Sequence, residues 1–161
     1  MVTARIWSGW KIFRELASFL TSRVPPPKIK GKVYAACAQK CMIYGSETWP
    51  LKSESAQRLE RTEKRMVRWM CGTSVREKRR SEGLLQLMGL KKITEEIRQG
   101  RLRWYGHMVR REEDRWLTEG WRFEIEGPRP RGRPRKTWDE MLAEDRRLSD
   151  LTNVDVRNWA E

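Results

Sequence analysis

Apolar residues recur every three or four positions through most of this chain, the spacing of helices that bury one face. Trp10, Phe13, Leu16, Ala17 and Leu20 share one such stripe, which predicts a helix from Gly9 to Leu20 that stops before Pro25-Pro26-Pro27. Ile29, Val33, Cys37, Cys41 and Tyr44 mark a second helix over 28–44. Gly45 and Pro50 then bracket a break in which Thr48 and Trp49 favour an extended piece.

The segment Ser53 to Met70 is the strongest helix in the sequence, with Ser53 as N-cap and Gly72 as stop. At 100° per residue, Ala56, Leu59, Met66, Val67 and Met70 fall on one arc. Arg58, Arg61, Lys64, Arg65 and Arg68 fall on the opposite one, with Glu60 at its edge and Glu63 projecting towards the apolar side. A solvated helix face usually mixes signs, because opposite charges four residues apart support each other. This face is close to wholly cationic, so contact with phosphate stands beside an ordinary exposed face as its reading.

Arg76 to Arg80, including Arg79, form a basic loop, and Ser81 to Met88 a short helix ended by Gly89. A longer helix is predicted from Thr94 to Arg111, with Ile97, Leu102, Trp104, Tyr105, Met108 and Val109 on its apolar arc. Arg103 and Arg110 face outwards, Arg98 and Arg101 lie within the arc, snorkelling or paired, and His107 falls on the polar side. Residues 121–126 alternate apolar and charged, the signature of a short half-buried strand. Thr137-Trp138-Asp139-Glu140 is a capping box that starts a helix carrying Met141, Leu142 and Leu148. Residues 152–159 repeat the helical pattern weakly, and Trp159 is so thinly covered that the end reads as a truncation. The expected fold is therefore mainly α: a helical pair over 1–50, then a small helical module over 51–161 with one short β-strand or hairpin.

Charge narrows the class of partner. The 161 residues hold 35 Lys+Arg against 22 Asp+Glu, a formal +13, which predicts an anionic partner. Arg outnumbers Lys by 24 to 11, and a guanidinium grips phosphate or a base edge with a planar fork. Nine tryptophans supply apolar anchors, most of them expected in the core. The three cysteines read as reduced intracellular thiols buried on helices, since with one histidine they complete no zinc site. No apolar run is long enough to cross a bilayer.

The densest charge is the tract 127–136, where Arg129, Arg131, Arg133, Arg135 and Lys136 alternate with Pro and Gly and no carboxylate intervenes. Pro and Gly hold that segment open, which suits a polyphosphate whose condensed counterions are released on binding.

Several stretches together resemble the C-terminal region of reverse transcriptase polyproteins from non-LTR retrotransposons. They are Lys30-Gly31-Lys32-Val33-Tyr34, Tyr44-Gly45-Ser46-Glu47-Thr48-Trp49 and Arg58-Leu59-Glu60-Arg61-Thr62-Glu63. Met66 to Gly72, Arg101 to His107 and Arg131 to Trp138 complete the set, in matching order over residues 10–148. The resemblance implies that 1–50 is a thumb-like helical segment and 51–161 a basic extension of it. It further implies a role in holding template RNA, primer and target DNA, with the remainder of the polyprotein as a partner. Arg58, Arg61, Lys64, Arg65, Arg68, Arg79, Arg80, Arg103 and the tract cations would be the gripping residues, and the protein would be nuclear when bound to nucleic acid.

Catalysis is not expected in this chain. Two-metal nucleotidyl transfer needs clustered carboxylates, but no Asp-Asp pair exists and all five aspartates lie in the last third. Mg would therefore belong to a palm outside this sequence; no catalytic residue, metal ligand, cofactor or small-molecule substrate is expected here. A nucleic-acid-binding segment, a basic protein-interaction module or inactive remnant, and a membrane-surface helix are the readings left, in that order.

Overall fold

In a computed structural model, which describes residues 2–74, 77, 80–110, 119–120 and 137–149, every regular element among the described residues is helical. The fold is mainly α, as the periodicity predicts. The strand expected at 121–126, the basic tract and the weak pattern at 152–159 lie outside the described residues.

The first helix, α1 (Val2–Glu15), begins seven residues before the expected Gly9. Val2, Ile6, Gly9 and Phe13 continue one stripe, and Gly9 sits inside the helix because a Cβ there would collide with the Met42 side chain. A short α2 (Ala17–Leu20) follows, and the chain turns before α3 (Pro27–Tyr34), which has Pro at its first position. One π-helical turn (Ala35–Gln39) carries α3 into α4 (Lys40–Ile43). The expected extended piece is instead a single 3₁₀ turn (Ser46–Thr48).

Along α3 and α4 the buried stripe is Lys30, Gly31, Tyr34, Ala38 and Met42, one position on from the expected Ile29, Val33, Cys37, Cys41 and Tyr44. Ile29, Cys37 and Tyr44 are exposed, and Cys41 and Cys71 are half-buried, so the thiols are not core residues. Two helices meet too closely for the larger residues to face inwards. At Gly31 an added Cβ would overlap the backbone carbonyl of Met88.

The predicted bounds of α5 (Ser53–Met70) and α6 (Ser81–Met88) match the structure. Ser53 is the first helical residue rather than the cap; Lys52 holds the cap position without a side-chain bond. Gly72 and Gly89 adopt φ of 62° and 65°, closing both helices with the paired backbone bonds of a left-handed terminus. The longer α7 (Ile93–Arg110) and α8 (Trp138–Leu148) complete the described elements, and the Thr137–Glu140 capping box forms in full. Leu148, expected on the apolar side, is exposed.

The chain divides into two compact units, Met1–Ser46 with Leu51–Ile97, and Glu47–Pro50 with Arg98–Glu161. The core of the first unit joins Phe13, Leu20, Tyr34, Met42, Leu59, Met66, Met70, Met88 and Ile93, all nearly sealed from solvent. Each such side chain contributes about 1.5–3 kcal/mol through burial. In the second unit Trp49, Leu102, Met141 and Leu142 are buried, and the Trp138 indole N–H donates to the Glu47 carbonyl at 2.8 Å.

Candidate nucleic-acid interface

Leu59, Met66, Val67 and Met70 face the core and turn the opposite side of α5 to solvent. Arg58, Arg61, Lys64 and Arg65 are exposed there, and Arg68 is half-buried. The helix therefore gathers five expected site residues onto one face. Two of its three glutamates, Glu60 and Glu63, are engaged away from that face. Glu60 accepts from the Thr94 hydroxyl at 3.0 Å, and Glu63 is buried. Glu54 shares the outer arc, in the first turn, where a carboxylate complements the helix dipole. Lys64 lies at the rim of a polar cleft with Glu60, Glu63, Ser81, Glu82 and Lys92, so its charge is partly shared with acids.

The cationic helix is anchored at its C-terminus and along its inner side. At its C-terminus the buried Lys30 ammonium donates to the Met70 carbonyl at 3.3 Å, meeting an otherwise unsatisfied acceptor with a favourable charge. Arg68 donates to the Ser74 carbonyl at 3.2 Å. From the inner side, Glu63 accepts from Gln39 at 2.9 Å and from the Ile93 backbone N–H at 3.0 Å, capping the start of α7. Burial pushes the Glu63 carboxyl up to about 7, against the pull of those two bonds. Tyr34, fully buried with a hydroxyl that bonds no group among the described residues, is raised by burial and then by the Glu63 charge.

One flank of α5 lies along α1, and the two run in the same direction. The Arg58 guanidinium donates to the Thr3 hydroxyl at 3.1 Å, and that of Arg65 sits 5.7 Å from the Trp10 ring centre. Trp69 packs against Phe13 and Trp10, with ring centres 5.4 and 6.3 Å apart. Charge patterning alone missed this aromatic flank. The expectation that most tryptophans are core also fails among the described residues: Trp49 is buried, Trp10, Trp104 and Trp138 are half-buried, and Trp69 and Trp7 are 49% and 69% exposed.

The remaining expected site residues are placed separately. Arg80 is exposed at the cap of α6, and Arg103 is exposed in the second unit. Arg79, Arg129, Arg131, Arg133, Arg135 and Lys136 lie outside the described residues. Arg98 and Arg101, which fell within an apolar arc, are paired: Arg101 bonds Asp145, and Arg98 approaches it at 3.5 Å. Burial raises the Asp145 carboxyl, and the two guanidiniums pull it back only in part. His107 stacks on Trp104.

Among the described residues no cluster of His, Cys, Asp or Glu could hold a metal ion, and no helix is long and apolar enough to cross a membrane. The arrangement is thus that of a small basic helical protein with a cationic, aromatic-flanked face. No protein-family model matches the chain, and no solved structure does. It is similar to a transposon-derived protein of Caenorhabditis elegans, with 22% identity over 149 residues. The match covers 87% of this chain and 52% of that protein, so the chain spans about half the relative's length.

Proposed function

We propose that this chain binds nucleic acid without catalysis, in the manner of the C-terminal region of a non-LTR retrotransposon reverse transcriptase, and helps hold template, primer or target strands in the nucleus. The observation that carries this reading is the outer face of α5, where Arg58, Arg61, Arg65 and Arg68 share one surface while Glu60 and Glu63 turn elsewhere. Clustered guanidiniums repel one another, and a polyanion removes that cost while releasing counterions. Likeness to a transposon-derived protein agrees with an origin in mobile elements. The Pro- and Gly-spaced cations Arg129, Arg131, Arg133, Arg135 and Lys136 would add a second grip, with Arg79, Arg80 and Arg103 as further contacts. Any Mg chemistry belongs to other polypeptide.

Titration of labelled RNA and DNA against increasing salt tests the reading. Binding should weaken along a steep line of log affinity against log salt. Arg129, Arg131, Arg133 and Arg135 all changed to Ala should flatten that line by about three units, at ~0.7–0.9 per lost phosphate contact. A flat line for the unaltered protein would contradict nucleic-acid binding and favour a protein-interaction module.

A further inference from the structure

We infer that the α1–α5 flank is a stacking site for single-stranded nucleic acid, with Trp7 and Trp69 as platforms for unpaired bases and Arg58, Arg61 and Arg65 on the phosphates. This rests on the proposed function and names the form of its ligand.

Exposure and position carry the inference. Thr3 and Trp10 of α1 touch α5, and the exposed Trp7 lies between them in the chain, a turn from each; Arg58, Arg65 and Trp69 follow one another along α5. Cross-contacts pair Thr3 with Arg58 and Trp10 with both Arg65 and Trp69, so the two rows are in register. From Arg58 to Trp69 the row extends about 16 Å at 1.5 Å per residue, room for a short stretch of an extended strand. Leaving Trp7 69% exposed and Trp69 49% exposed keeps two large apolar rings in water. A duplex keeps its bases stacked internally and could use only the arginines. An unpaired strand offers π-faces that cover the indoles and phosphates that meet the guanidiniums, without requiring a particular sequence.

The decisive experiment compares anisotropy titrations of oligodeoxythymidylate and oligouridylate with those of a hairpin duplex having the same number of phosphates. The unpaired strands should bind more tightly than the duplex. Trp7→Ala should weaken their binding about tenfold while leaving duplex affinity and the salt slope unchanged, and Trp7→Phe should recover most of the loss. Trp7 is a surface residue of a long helix, so these variants should keep the unaltered far-UV spectrum. Arg58, Arg61 and Arg65 changed to Gln should weaken both ligands. If Trp7→Ala binds the unpaired strands like the unaltered protein while the arginine variant weakens them, the stacking site is refuted and the proposed function stands. Tighter binding of the duplex would also refute it. If the unaltered protein binds neither ligand, the functional reading fails and the inference falls with it.

Discussion

Glu63 shows how a single residue links the inner and outer sides of α5. Its position towards the apolar arc is readable from the helical period, but its role as cap for α7 is not, because that needs the distant Ile93 N–H at 3.0 Å. The carboxyl is raised from 4.5 to about 7, so the folded state favours its protonated form. Below about pH 4.5 the group is neutral folded or unfolded, and its contribution is fully present. As pH rises through about 7 the unfolded chain ionises first, and on the order of 3 kcal/mol of stability should be lost. Urea midpoints on either side of that window should therefore fall with pH for the unaltered protein and flatten for Glu63→Gln; parallel falls would place the titration elsewhere. The exposed tryptophans were illegible for a related reason. Residue type alone argues for burial of Trp7 and Trp69, and their exposure depends on tertiary packing that no local pattern records.

Among elements, helices closed by glycine were the most legible. Gly72 and Gly89 mark the ends of α5 and α6 because each must take a positive φ that other residues avoid. The stripe along α3 and α4 was misplaced by one position, since Lys30 and Gly31 do not look like core residues. Lys30 is buried because its ammonium caps α5, and Gly31 because α6 passes directly against it. Gly31→Ala therefore requires the helices to separate and should cost ~1–3 kcal/mol or more, read as a lower urea midpoint with unchanged slope. An unaltered midpoint would mean that this contact is not tight. The arginines within the apolar arc of α7 were legible as snorkelling or paired, but Asp145, their partner, lies 44 residues beyond Arg101 in the chain.

At the scale of the whole molecule, a formal +13 would draw the chain to any polyanion, so attraction alone does not identify an interface. What separates a face from diffuse charge is whether particular cations carry the counterion release. Arg58, Arg61 and Arg65 share the outer face of α5, whereas Lys28, Lys32 and Lys40 are exposed on α3 and α4. Replacing either trio with Gln removes the same charge. The most direct test measures log affinity for a nucleic-acid strand against log salt for the unaltered protein and both variants. The arginine variant should lose about two units of slope, while the lysine variant keeps the original line. Equal losses from both would mean that the protein attracts strands by total charge and that α5 holds no dedicated surface.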